Sequence, residues 1–377
     1  MRKSLLYTAL VLAALAAVSC AKKRDDSTVR IGEYGSLTGS EATFGNSNHE
    51  GLVLAIEEAN AAGGVNGKKI QVLTVDDAGK PEEAVVGVTK IINQDQVHVV
   101  IGEVASSRSL AAAPICQKNK VPMITPSSTN PKVTEVGDYI FRMCFIDPFQ
   151  GKVMADFAMD TLKAKTAAIF RDQKSDYSMG LADAFIQRFT ERGGQVVIDQ
   201  SFASGDIDFK NQLTSIRDKK PAVVFAPGYY TEVGLIARQS RELGLNVPLL
   251  GGDGWTSSKL FEIGGKALEG CYFSNHYATD TKEPKAVAFL DKYKARWGHE
   301  PDSLAGLGYD AGWAFVEAAK RAKSLDGPDL KDAIAQTKDF PGVTGTITLG
   351  PDRNAVKSAV VLKITGGKAV YVATVKP

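Results

Sequence analysis

The chain has 377 residues, 44% hydrophobic and 23% charged, with a formal net charge of +2. These figures fit a globular protein of about two domains, and so even a charge balance gives no argument for a nucleic-acid partner. Beyond the N-terminus, no stretch approaches the ~20 continuous apolar residues of a bilayer-spanning helix.

Met1-Arg2-Lys3 is a basic start, Leu5 to Val18 is a short apolar run, and Ser19-Cys20 closes it. This is the pattern of a secretory signal peptide over residues 1–19, which predicts an extracytoplasmic protein. Cys20 stands where a lipobox cysteine becomes lipidated and anchors the chain to a membrane. The match Ala17-Val18-Ser19-Cys20 is imperfect, because such boxes usually begin with Leu. Plain cleavage near Ala17 is the alternative. Residues 20–27, with Lys22, Lys23, Arg24, Asp25 and Asp26, read as a polar lipidated tether.

From Val29 to Tyr34 the pattern is a strand, and Leu52, Val53, Ala55, Ile56 and Ala59 follow at helical spacing up to a stop at Gly63-Gly64. Lys69 to Asp76 is a strand, and Pro81 opens a helix with Val85, Val88, Ile91 and Ile92 on its buried stripe. A strand at Val97 to Ile101, a helix at Ser107 to Lys118 and a strand at Val121 to Ile124 complete a βαβαβαβ series. That order predicts a parallel sheet with helical crossovers. The rhythm restarts after Tyr139 to Pro148. Helices at 149–162, 178–192, 209–219 and 232–243 alternate with strands at 166–170, 196–200, 223–226 and 248–251. The tail is less regular, with helices at 285–297, 305–322 and 330–337 and strands at 343–349, 359–365 and 370–375. It lacks a third βα set and is expected to complete the first two lobes.

Cys116, Cys144 and Cys271 form no CxxC pair, which argues against zinc or thioredoxin chemistry; they are expected as buried free thiols, and the alternative is one disulfide with a thiol left over. The phosphate loop GxxxxGK[ST], a GxGxxG after a strand and a GxSxG elbow are all missing. His49, His98, His276 and His299 are scattered, and each reads as a structural or surface histidine. Asp76-Asp77 reads as a cap before a helix rather than a metal pair. No cofactor, no metal and no catalytic group is expected. What remains is a pair of strand-to-helix junctions, Ile101-Gly102-Glu103-Val104-Ala105-Ser106-Ser107 and Ile124-Thr125-Pro126-Ser127-Ser128-Thr129. Adjacent strands would bring their hydroxyls and free N–H groups to one sheet edge, where α/β sheets bind ligands and helix N-termini attract anions. A small carboxylate is the expected ligand.

Gly35-Ser36-Leu37-Thr38-Gly39 with Phe44-Gly45, the break Ala61-Ala62-Gly63-Gly64-Val65-Asn66-Gly67, Asp76-Asp77, Met123-Ile124-Thr125-Pro126, Asp172 with Tyr177, Gly228-Tyr229 and Gly251-Gly252-Asp253-Gly254 occur in one order. Together they make the chain resemble the periplasmic leucine/isoleucine/valine-binding proteins of ABC importers, from about Thr28 to Val375. The resemblance implies a type I periplasmic binding protein: α/β, with two Rossmann-like lobes, parallel central sheets and a three-crossover hinge. It places residues 28–145 plus 277–345 in the N-terminal lobe and 146–276 plus 346–377 in the C-terminal lobe. It also implies an amino-acid ligand, a membrane permease as partner, hinge closure and a monomer.

Roles for single residues come with the resemblance. Ser106 is expected on the ligand carboxylate, or simply as an N-cap. Thr129 matches the position that grips both backbone charges, and the Ser127 carbonyl would accept from the ammonium group. Ser128 stands where the family often has Ala. Asp253 is the expected anionic partner of the ammonium, where the family often has Glu. Tyr177 and Tyr229 would close over the ligand, and Phe44 would lie along its side chain or in the core. Arg108 reads as a solvated surface arginine or, turned inward, as a partner for a second carboxylate on the ligand. Trp255 is a candidate for narrowing the pocket. Aliphatic, small polar and acidic amino acids all stay open. Competing functions are a sensor presenting its ligand to a receptor and, without a motif to support it, an amide hydrolase.

Overall fold

The computed structural model describes residues 26–377. The signal segment and Cys20 lie outside these residues, as does most of the tether. Asp26, expected in the tether, lies 3.0 Å from Nε2 of the buried His98.

The first lobe runs β1 (Val29–Gly35), α1 (Ala42–Ala61), β2 (Ile70–Asp76), α2 (Pro81–Asn93), β3 (Val99–Ile101), α3 (Ser106–Asn119), β4 (Met123–Thr125), the single turn α4 (Lys132–Glu135) and β5 (Ile140–Arg142). Its sheet has the order β2-β1-β3-β4-β5 with every neighbouring pair parallel. In α2, Pro81 sits in the first turn beside Glu82 and Glu83, which suits the positive end of the helix dipole. Ala84, Val88, Ile91 and Ile92 form its buried face. Helix α1 stops before Gly64, whose φ of +69° and approach to the Lys68 carbonyl leave no room for a Cβ. Asp76 and Asp77 cap nothing. Asp76 instead accepts the N–H groups of Leu37 and Thr38, and Asp77 accepts that of Gly79.

The second lobe follows as α5 (Asp147–Asp160), β6 (Thr166–Asp172), α6 (Asp176–Glu191), β7 (Gln195–Phe202), α7 (Lys210–Asp218), β8 (Val223–Phe225), α8 (Tyr230–Glu242), β9 (Leu249–Gly251), α9 (Ser258–Gly264) and β10 (Tyr272–Asn275). The chain then returns through α10 (Pro284–Trp297), α11 (Ser303–Arg321) and α12 (Gly327–Ala335), followed by the small antiparallel sheet of β11 (Phe340–Gly342), β12 (Gly345–Leu349) and β13 (Ala355–Val356). Finally β14 (Ala359–Thr365) and β15 (Lys368–Val375) extend the second sheet antiparallel, giving the order β15-β14-β10-β9-β8-β6-β7.

Ala311, Phe315 and Val316 of α11 pack with Val29, Ile31 and Phe141, so the returning helices complete the first lobe. Ile347, Leu349 and Ala355 join the same core. The limit expected at residue 345 therefore falls too early, because the chain leaves the first core only after β13. Among the described residues, three segments cross between the lobes: after β5, after β10 and between β13 and β14. Cys116, Cys144 and Cys271 are buried free thiols.

Candidate functional site

The first wall of the site lies at the carboxyl ends of β3 and β4, which are neighbours in the sheet. Helix α3 begins at Ser106, with Ala105 as its cap residue, so Ser106 is not an N-cap. The first N–H groups of α3 have no partner within the helix, and the dipole makes this end attractive to an anion. Ser106 Oγ accepts the Asn130 N–H at 3.1 Å, which ties the two junctions together. The Ser127–Pro131 turn is held from behind by Arg142, a buried residue the sequence reading passed over. Its guanidinium donates to the carbonyls of Ser128 (2.6 Å), Asn130 (2.8 Å) and Pro131 (3.2 Å). A charge at the end of the apolar strand Ile140-Phe141-Arg142 was the available signal.

Two expected site residues turn away from the cleft. Ser128 is fully buried, its Oγ donating to the Glu103 carbonyl at 2.9 Å and lying 2.7 Å from Ser109 Oγ. Arg108 is neither solvated nor free to meet a ligand. It is buried, with Nη2 2.5 Å from Glu41, Nε 3.0 Å from Glu103 and Nη1 donating to the Gly79 carbonyl. Glu103 in turn accepts the N–H groups of Ser36 and Ala105.

The second wall comes from the ends of β6, β8 and β9. Tyr177 and Tyr229 stack with centroids 5.3 Å apart and planes 7° apart. The Tyr177 hydroxyl accepts the Gly254 N–H at 3.0 Å. Gly252 and Gly254 flank Asp253 because a Cβ at Gly252 would lie 2.5 Å from the Tyr177 hydroxyl and one at Gly254 would lie 2.9 Å from both tyrosine rings. Burial and the Asp253 charge hold the Tyr177 hydroxyl well above the usual tyrosine range, so it stays protonated. Trp255 does not narrow the pocket. It is wholly buried behind the floor, packed under Gly251, with its indole N–H on the Ala226 carbonyl.

Asp253 is the centre of this wall. Its Oδ1 accepts from Gln150 Nε2 at 3.1 Å, and its Oδ2 lies 3.0 Å from His276 Nε2. Gln150 Nε2 also donates to Asp147 Oδ1. Burial pushes the Asp147 carboxyl up to about 7, opposed by hydrogen bonding and aided by the nearby Asp253.

The walls meet. Ser107 Oγ donates to Asp176 Oδ2 at 2.8 Å, Asn130 donates to the Asp176 carbonyl, and the Tyr230 hydroxyl donates to the Ser40 carbonyl. Phe44 reaches across from α1 and packs edge-on against Tyr229 and Tyr230, so it is both a core aromatic and a cavity wall. Between the nearly closed walls is a small cavity. It is lined by the expected Phe44, Ser106, Ser127, Thr129, Tyr177, Tyr229 and Asp253, and by Val104, Gly254 and Leu304, which were not expected. Leu304 enters because Asp302 caps α11 through the N–H groups of Leu304 and Ala305. Among the described residues that line the cavity, Asp253 alone carries a charge.

Comparison with known proteins agrees with this architecture. The family profile described as periplasmic binding protein matches residues 28–369. The leucine-, isoleucine-, valine-, threonine- and alanine-binding protein of Pseudomonas aeruginosa is 32% identical over 348 residues, covering 92% of this chain and 91% of the relative. The crystal structure of the leucine-binding protein LivK from Thermotoga maritima superposes with a TM-score of 0.90 at 41% identity, covering 93% of this chain and 99% of that one. That of the branched-chain amino acid transporter substrate-binding protein LivJ from Streptococcus pneumoniae, in complex with isoleucine, gives 0.88 at 36% identity, covering 93% and 100%. The chain thus belongs to the periplasmic binding protein family, in the branch of the Leu/Ile/Val-binding proteins with the type I fold.

Proposed function

We propose that this chain is the solute-binding component of an ABC importer, that it holds one aliphatic L-amino acid between its lobes, and that it hands the ligand to a membrane permease. The supporting observation is the asymmetry of the cavity: hydroxyls and a helix N-terminus on one wall, one carboxylate on the other. The α-carboxylate would sit at the start of α3 with the hydroxyls of Ser106 and Thr129. The ammonium group would lie between Asp253 and the Ser127 carbonyl. Phe44, Val104, Tyr229 and Leu304 would supply the apolar surface against the side chain.

The side-chain class follows from what the cavity lacks a use for. Arg108 is already paired with Glu41 and Glu103, so a second carboxylate on the ligand would be buried unpaired. An acidic amino acid is therefore disfavoured. Export by residues 1–19, a lipid anchor at Cys20, a monomeric state and a non-catalytic role complete the proposal.

A thermal-shift series with leucine, isoleucine, valine, alanine, threonine and glutamate tests the reading. A ligand at 100 times its dissociation constant adds about 2.7 kcal/mol of stability. The aliphatic members should raise the melting temperature and glutamate should not. A response to glutamate alone would refute the aliphatic assignment.

A further inference from the structure

His276 was expected to be an ordinary structural histidine, and its surroundings are not ordinary. It lies directly after β10, on the second crossover between the lobes. Its ring stacks on Phe145 of the first crossover, with centroids 4.0 Å apart and planes at 22°. The side chain is fully buried. Nε2 faces Asp253 Oδ2 at 3.0 Å, and Nδ1 has no hydrogen-bond partner among the described residues. A carboxylate can only accept, so Nε2 carries a proton, and a second proton on Nδ1 would be buried with no acceptor, which favours the neutral ring.

The other carboxylate oxygen is held as firmly. Gln150 donates to Asp253 Oδ1, while its own Oε1 accepts from the Ser274 hydroxyl at 2.9 Å. Both donors to Asp253 are thus neutral. They fix the direction of the carboxylate without spending its charge, which stays available to a cation in the cavity.

We infer that His276 is a positioning residue: it aims Asp253 at the ligand's ammonium group and, on taking up a proton, withdraws that partner and loosens the ligand. The inference rests on the amino-acid reading above. A protonated ring would neutralise Asp253 through Nε2 and would carry a buried Nδ1–H with no acceptor. Its charge would also repel the ammonium. The groups around it are Asp253 on the turn after β9, Lys357 on the third crossover, Phe145 on the first, and Cys144 and Asp147 beyond Asp253. Burial holds the ring below the ordinary histidine range, Lys357 acts in the same direction, and Asp253 opposes both. The neutral ring is therefore the resting form near pH 7. The first two crossovers meet at this ring and the charge of Lys357 on the third acts on it, so the protonation that weakens ligand pairing occurs in the hinge itself.

Binding linked to one proton loses up to about tenfold in affinity per pH unit below the ring's titration. Protonation of Asp147 would weaken binding in the same direction, so a variant is needed to separate the two. Titration calorimetry with L-leucine from pH 7.5 to 4.5 should show wild-type affinity falling at least about tenfold more than that of His276→Gln, which keeps a donor for Asp253 but cannot ionise. His276→Gln should bind a few-fold more weakly than wild type at pH 7.5. Histidine NMR of the wild type gives the reciprocal readout and needs no variant: the His276 pKa should be lower with leucine than without. Equal pH profiles in the two proteins, or a His276 pKa that leucine does not move, would overturn this inference and leave the amino-acid reading intact. Failure of the wild type to bind leucine, isoleucine or valine at pH 7.5 would overturn both.

Discussion

Two buried charged clusters flank the cleft, and they differ in what their charge is spent on. On the first lobe, Arg108 is gripped by Glu41, Glu103 and the Gly79 carbonyl, and nothing of it reaches the cavity. On the second, Asp253 is held by Gln150 and His276, both neutral, and it lines the cavity. Both clusters would look alike in a list of buried ionisable residues. The chemistry of the partners tells them apart. A charge matched by an opposite charge builds the wall, whereas a charge held only by neutral donors stays ready for a ligand.

The sharpest way to break this distinction is Arg108→Met. It leaves Glu41 and Glu103 buried without their cation and should destabilise the fold by about 3–5 kcal/mol in urea melts. Leucine affinity of the remaining folded protein should change little. Unaltered stability with lost binding would reverse the roles of the clusters. Asp253→Asn should do the opposite. It should weaken leucine binding by about 2–4 kcal/mol, roughly 30- to 1,000-fold in calorimetry, while stability stays within about 1 kcal/mol of wild type.

The first cluster also predicts a pH effect. Burial, followed by the Glu103 charge, pushes the Asp77 carboxyl up to about 7. The folded state therefore holds this proton more tightly than the unfolded chain does. The stabilisation is full below about pH 4 and is lost as pH rises toward 7. Asp77→Asn should flatten the stability profile in that window by about 1–2 kcal/mol. An unchanged slope would remove Asp77 from the cluster's energetics. The smallest expected effect is Tyr177→Phe. It deprives the Gly254 N–H of its acceptor and should cost about 1 kcal/mol of stability with a few-fold loss of affinity.

Much of this was legible in the chain. Hydrophobic periodicity and glycine stops marked the parallel βα series, because a sheet covered on both faces requires apolar runs separated by amphipathic helices. The hydroxyl-rich turn after β4 and the Gly-Asp-Gly turn after β9 pointed to opposite walls. The misses share one physical cause. Ser128, Arg108 and Trp255 sit beside true cavity residues, and sequence spacing cannot say which neighbour faces inward on an irregular turn or in the first turn of a helix. The partners that decide it, Ser109, Glu41, Glu103 and Ala226, are contributed by other elements. Leu304 and Arg142 were missed for the same reason. Each looked like an ordinary helix or strand residue until another segment folded over it. The start of α1 at Ala42 was also hidden, since its first turns carry polar residues that meet the opposite lobe, such as Thr43 beside Ser257.

The sulfur chemistry of the body offers a practical return. Cys116, Cys144 and Cys271 are sealed from solvent, and burial raises all three thiols, Cys144 to about 12, so none should react with maleimide dyes at neutral pH. In a version that starts at Ala21, a single engineered cysteine at Thr231, across the rim from Ser40, would take one fluorophore and no other. The body arrives already prepared as an optical reporter for the proposed ligand.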